Sequence, residues 1–234
     1  MIKFPQNPTT SWVIRTLNEE KWLGKVLESL FKQNRLDFEI ILVDSGSTDR
    51  TLEIIKPFPL RKIIHIKKFN YSSALNQGIK QSWGKYIGII SGHSLPVSRT
   101  WYHEAMKNFS DRKVAAVTGN YHALPDGSYE EKLADLFFDL KELDKQHHCK
   151  SMTNTNAIIR KDLWKQYPFD ESLSECEDYD WACEMIARGY DIIKDPAFNV
   201  FHSHGGVGSP TYQQRAKKWE KICQIIDKKK RPSK

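Results

Sequence analysis

The stretch "FEIILVDSGSTD" (38–49) decides the fold. Its first six residues are almost all apolar and β-favouring, so they read as a buried strand, and Asp44 opens a polar turn at the carboxyl end of that strand. Working outward, "SWVIRT" (11–16) gives a strand before it, and "RKIIHI" (61–66) and "YIGIIS" (86–91) give two after it. Between the first two strands Trp22, Leu23, Val26, Leu27, Leu30 and Phe31 recur at helical spacing, with Asn18 placed to cap the helix start. Alternating strands and helices predict an α/β fold: a mostly parallel, Rossmann-like twisted sheet flanked by helices.

In such sheets the ligand crevice lies beyond the carboxyl ends of the strands. That rule selects "RTLNEE" (15–20), "DSGSTD" (44–49), "KKFNYSSALNQG" (67–78) and "SGHSLP" (91–96) as segments converging on one edge. After Pro96 the alternation is less regular. A helix is expected from Arg99 to Phe109, a strand at 114–119, an amphipathic helix across 129–147 and a strand at 156–160. A helix from the acidic run "SECEDYDW" (174–181) to about Arg188, strands near 191–195 and 198–204, and a helix from about Thr211 follow. The pattern suits a single domain over 1–234, with 10–96 as a nucleotide-binding half and 97–205 as an acceptor and catalytic half. Residues 206–234 then supply a glycine-rich mobile loop ("HGGVGSP", 204–210), a helix and a basic tail.

With 39% hydrophobic residues the 234-residue chain can build a sizeable core. Cys149, Cys176, Cys183 and Cys223 form no CxxC pair, so reduced structural thiols in a cytoplasmic protein are expected. No run approaches the roughly 18–20 apolar residues of a spanning helix, and residues 1–10 lack a signal-peptide core. The net charge of +7 has a local component, since five cations fall in the last seven residues. Such a tail is either a solvated end or a contact for an anionic membrane surface, which would make the protein peripheral. Nucleic acid is not an expected partner, because no zinc-finger spacing, RNA-binding signature or helix-turn-helix accompanies the charge. Neither GxGxxG nor a P-loop is present, so a dehydrogenase or NTPase has no support.

Several residues suit chemistry on that edge. Asp44 could accept hydrogen bonds from a nucleobase or ribose, while Asp49 reads equally well as a first-turn acid. Glu175, Glu177, Asp178 and Asp180 crowd the start of a helix, where acids complement the helix dipole and mutual repulsion raises proton affinity. Trp101, Tyr102, Tyr121, Trp164 and Trp181 are candidates either for core packing or for platforms under an acceptor sugar.

Taken together, "VIRTLNEE" (13–20), "ILVDSGSTDRT" (41–51), "NYSSALNQGI" (70–79), the "SGHSLP" turn, "ECEDYDWACEMIARGY" (175–190) and "FHSHG" (201–205) resemble the family 2 glycosyltransferases, in the family's order. The first and last of these look most like its rhamnosyltransferase-like branch. The resemblance implies a GT-A fold and a nucleotide-sugar donor. It also implies a nucleotide pocket lined by Thr16, Asn18, Glu19, Asp44 and Ser91, with Arg15 and Asn76 as lesser candidates toward the phosphates. It further implies that Asp178, second of the "ED" pair with Glu177, is the base of an inverting transfer to an acceptor hydroxyl, with Glu177 beside it either touching the acceptor or supporting the base from behind. The acceptor so implied is a glycan or a lipid-linked glycan, in cell-surface polysaccharide or glycolipid synthesis.

One departure stands out. Where the family carries an Asp-x-Asp metal motif, this chain has Ser91, Gly92 and His93. His93, with His202 or less favourably His204 from the distal strand, could hold Mn2+ or Mg2+, or His93 could contact a phosphate or hold the turn without a metal. A non-catalytic nucleotide-sugar or glycan-binding module with a degenerate metal motif is the alternative. A sugar nucleotidyltransferase is disfavoured, because "RTLNEE" contains no glycine.

Overall fold

A computed structural model describes residues 5–127, 131–133, 144–203 and 210–230. A seven-stranded sheet runs in the order β3-β2-β1-β4-β8-β6-β9. Its strands are β1 (Thr10–Thr16), β2 (Phe38–Asp44), β3 (Lys62–His65), β4 (Tyr86–Ser91), β6 (Val114–Thr118), β8 (Asn156–Arg160) and β9 (Asp191–Lys194). A three-stranded sheet sets β10 (Val200–Phe201) between β5 (Leu95–Pro96) and β7 (Tyr121–His122). The helices are α1 (Leu23–Phe31), α2 (Thr51–Ile54), α3 (Tyr71–Lys80), α4 (Trp101–Lys107), α5 (Lys161–Gln166), α6 (Glu177–Ala187) and α7 (Pro210–Lys230).

In the large sheet only β8 runs against its neighbours, pairing antiparallel with both β4 and β6. Ile90 of β4 faces Asn156 of β8, so the segment leading into β8 arrives at the edge where β1, β2 and β4 end. That reversal positions much of the candidate site.

Alternate residues of β1 feed two cores. Trp12 and Ile14 pack with Leu23, Val26, Leu27 and Leu30 of α1 and with Trp101 and Tyr102 of α4. Val13 packs on the opposite face with Leu75 and Ile79 of α3 and with Trp181 and Met185 of α6. The Trp12 indole lies directly over Gly88, where a Cβ would come within 2.3 Å of the ring, so β4 can carry no side chain there.

Several expectations need correction. Asn18 does not cap α1: the helix starts after Trp22, with no side-chain cap, and Asn18 has a left-handed φ of 55°. Residues 144–147 are not helical; Gln146 instead pairs with Lys194 in an isolated bridge. Most of the helix expected over 129–147 lies outside the described residues, as do the loop at 204–209, His204 and the tail at 231–234. Trp101, Tyr102 and Trp181 are wholly enclosed in the core, and Trp164 is nearly so, which leaves them no face for a sugar.

Candidate active site

One side of the crevice is made by two turns that clasp each other. Asn18 Oδ1 accepts from Thr48 N at 2.8 Å, and Asn18 N donates to Ser47 Oγ at 2.9 Å. Glu19 N donates to Thr51 Oγ1 and Glu20 N to Asp49 Oδ2. Asp49 also accepts from Thr51 N, the first-turn role of an acid. Asn18 therefore binds the turn after β1 to the turn after β2, and its left-handed backbone, tolerated by asparagine, aims the side chain across.

Asp44 is 1% exposed. Its carboxylate accepts from Gly46 N, from Ser47 N and from Ser47 Oγ, the last at 2.6 Å, while His65 Nδ1 approaches to 3.4 Å. Gly46 supplies the φ of 94° that this turn requires. Beside it, Thr16 Oγ1 and Ser45 Oγ are buried with no hydrogen-bond partner among the described residues. Buried hydroxyls left unpaired cost about 1–3 kcal/mol each, and a polar ligand at the strand ends would relieve that cost.

The Ser91–Gly92–His93 turn follows β4. His93 Nδ1 lies 2.7 Å from Glu19 Oε1, so the ring donates its Nδ1 proton to that carboxylate. The His202 ring stacks on His93 with centroids 4.5 Å apart and planes inclined by 20°, and its Nδ1 meets Ser94 Oγ at 3.0 Å. A metal ion lies close to the plane of each imidazole that ligates it. Two nearly parallel rings face to face have no common point at ligand distance, so the residues present do not fit an ion shared by His93 and His202. No group of three or more His, Cys, Asp or Glu suited to a metal occurs among the described residues.

The other side of the crevice is a cavity of about 290 Å³. Its floor is Met152–Thr155, the lead-in to β8; one wall is the start of α6, and others are Tyr71, Tyr121 and the inner face of α7. Cys176, in a left-handed conformation with φ 67°, turns the chain into α6 so that Glu177 and Asp178 both line the cavity. Asp178 Oδ2 accepts from Asn154 N and its Oδ1 from Tyr179 N, both at 2.9 Å. Glu177 is 4% exposed; its Oε1 accepts from Asn154 Nδ2 at 3.1 Å and pairs with Arg15 at 3.4 Å. Burial, helped by the neighbouring Glu177 charge, pushes the Asp178 carboxyl up to about 7 against the pull of its two backbone donors. Asp178 keeps some exposure along the cavity, but its carboxyl lies deep enough that lost solvation dominates.

Arg15 and Arg215 flank the Tyr71 ring: Arg15 stands 4.8 Å from its centroid, and Arg215 donates to Tyr71 Oη at 2.6 Å. Glu175 anchors α7 through Lys218, Arg215 and the Trp219 indole N–H. Desolvation works against that carboxylate, yet these donors and charges hold it below the usual carboxylate range. Asp180 points the other way, accepting from Tyr167 Oη. Asn76 is also outside the site: its amide donates to Phe169 O and Glu171 Oε1 and accepts from the Trp164 indole, so it is spent on packing. Sequence reasoning missed Asn154, Tyr71, Arg215 and Trp219. The polar run "MTNTN" (152–156) just ahead of an apolar strand was the one available signal.

The sequence model of Glycosyl transferase family 2 matches residues 11–167, well over half of the chain. The chain belongs to glycosyltransferase family 2. An uncharacterized glycosyltransferase of Methanocaldococcus jannaschii is 25% identical over 206 residues, covering 83% of this chain and 71% of the relative. A dolichyl N-acetyl-alpha-D-glucosaminyl phosphate 3-beta-D-2,3-diacetamido-2,3-dideoxy-beta-D-glucuronosyltransferase of Methanococcus voltae is 36% identical over 215 residues, covering 83% and 66%. Among solved structures, a mannosyltransferase of Pyrobaculum calidifontis in complex with GDP-Man and Mn2+ superposes with a TM-score of 0.68 at 18% identity. It covers 89% of this chain and 60% of its own. S. aureus TarS in complex with UDP-GlcNAc gives 0.64 at 16% identity, with coverages of 93% and 65%. These likenesses establish the GT-A fold. The family match stops at residue 167, so α6 and α7 lie beyond the matched span.

Proposed function

We propose that this family 2 member transfers a sugar from a nucleotide-sugar donor to an acceptor hydroxyl with inversion, Asp178 acting as general base. The observation that carries the reading is the Asp178 carboxyl on the cavity wall, raised to about 7 and aimed by two backbone N–H groups. A base with that proton affinity is matched to neutral pH, where about half of it is ionised and that form is basic enough to take a hydroxyl proton as the bond to the anomeric carbon forms. Glu177, tied to Arg15 and Asn154, keeps negative charge beside it and so sustains its basicity.

The donor nucleoside lies over the ends of β1 and β2, among Thr16, Asn18 and the Asp44 turn, where the unpaired Thr16 and Ser45 hydroxyls support a polar ligand. Its diphosphate runs toward Ser91, His93 and Arg15. The acceptor enters the cavity between α6 and α7, where Tyr71, Tyr121, Tyr179 and Trp219 offer aromatic faces and Glu175 and Glu177 offer acceptors. The Methanococcus voltae relative's name, which describes transfer to a dolichyl-phosphate sugar, supports a lipid-linked acceptor handled from the aqueous side of a membrane. No described helix is long and apolar enough to cross one. The rhamnosyltransferase-like pattern of "VIRTLNEE" and "FHSHG" supports placement in that branch.

Asp178→Asn tests the reading. Transfer should fall by roughly 10²–10⁴-fold while nucleoside-diphosphate affinity, read by calorimetry, stays within about threefold. Transfer at near wild-type rate would remove Asp178 from the chemistry. A loss of nucleotide binding of the same size would point to a binding role instead.

A further inference from the structure

Helix α7 has two faces of different character. Inward, Arg215, Trp219 and Cys223 line the cavity, and Ile226 is 2% exposed. Outward, Lys217, Lys221 and Lys228 are all exposed. At about 100° per residue, spacings of four and seven place these three within roughly 40° of one another, in a straight stripe about 16 Å long. Lys218 and Lys229 flank it, and Ile225, 52% exposed, stands among them. Over its length the helix carries seven Lys and Arg residues against Glu220 and Asp227. Asp227 is occupied by Lys150 and Tyr179, and Lys218 by Glu175, whereas the stripe lysines form no ion pair among the described residues.

We infer that the outer face of α7 docks on an anionic phospholipid surface and so holds the cavity, on the inner face of the same helix, beside the headgroups. A straight row of unneutralised ammonium groups on a rigid helix matches a flat, diffuse negative charge better than it matches a compact ligand. Long lysine stems and one exposed isoleucine suit residence at the headgroup level, and the helix is too polar to enter the hydrocarbon. The helix is about 10 Å thick, so a lipid-linked acceptor held in the leaflet would be within one helix diameter of Asp178. This inference rests on the lipid-linked reading of the acceptor. It differs from anchoring by the tail, because it places the contact on the helix that also closes the site.

Flotation with vesicles tests it, comparing phosphatidylcholine alone with phosphatidylcholine mixed with phosphatidylglycerol. The wild-type chain should float with the mixed vesicles, fail to float with the neutral ones, and be released by high salt. The triple variant Lys217→Gln, Lys221→Gln and Lys228→Gln keeps good helix formers and should bind the mixed vesicles on the order of 100-fold more weakly, at about 1 kcal/mol per lysine. Nucleoside-diphosphate affinity of that variant should be unchanged, which shows that it is folded. Arg231→Gln with Lys234→Gln should retain vesicle binding. Equal binding by the triple variant, equal binding to neutral vesicles, no wild-type binding, or preference for duplex DNA over the mixed vesicles at the same salt would each overturn it. Asp178→Asn should float like wild type, so failure of the chemical reading and failure of this one are separately visible.

Discussion

Two aspartates on the crevice edge, Asp44 buried and Asp178 half-buried, sit in opposite surroundings. Asp44, at the end of β2, is ringed by donors: Gly46 N, Ser47 N and Ser47 Oγ all point at its carboxylate, with His65 close by. Asp178, in the first turn of α6, has two backbone donors and an acidic neighbour. The first arrangement spends a carboxylate on holding a turn in shape. The second stores a carboxyl in a place where its charged form is costly, and that cost is what makes it a base near neutrality. Residue type and position at an edge are thus shared, and the donor count around each carboxylate separates one that holds a turn from one whose proton affinity is raised.

Truncation should expose the difference as a change of sign. Asp44→Ala leaves three donors without their acceptor and should lower stability by about 2–3 kcal/mol in urea titrations, with weaker nucleotide binding as the turn relaxes. An unchanged midpoint would show that the Asp44 turn holds nothing in place.

Asp178→Asn should act the other way above neutral pH. Because the folded-state value of Asp178 is raised above its unfolded value, the folded protein binds more protons between about pH 4 and 7, so this group's contribution to stability falls as pH rises through that window. Replacing it with a neutral amide removes that loss, less one hydrogen bond, and should stabilise the protein by about 1–3 kcal/mol at pH 8 while giving little or nothing at pH 4. A variant less stable than wild type at pH 8 would mean that Asp178 is held by its partners as Asp44 is.

The first half of the chain was legible because its signals are local. Apolar runs ending in polar turns gave β1 to β4 within a residue or so, and the carboxyl-end rule found Arg15, Thr16, Asp44 and Ser91. The same rule passed over Asn154, because it precedes an antiparallel strand and reaches the crevice from the strand's amino end. Asn18 was misread as a helix cap because its residue type suits one, whereas its side chain serves a turn thirty residues away in sequence. Asn76 carries the amide that a phosphate contact would want, but helical phase turns it into the core against Trp164. Arg215 and Trp219 became visible only when α7 was seen to fold back over α6, a contact tied by Glu175. The His93 and His202 pair shows the same limit: proximity was foreseen, and ring orientation, which decides whether an ion can be shared, was not.

The pH dependence of kcat/KM for transfer, measured from pH 5 to 9 in wild type and in Glu177→Gln, tests the central claim most directly. The account predicts a rise with pH that levels off above an inflection near 7, and an inflection at lower pH in Glu177→Gln, where the neighbouring charge is gone. A flat profile through pH 7 in the wild type, or an inflection that Glu177→Gln leaves in place, would contradict it.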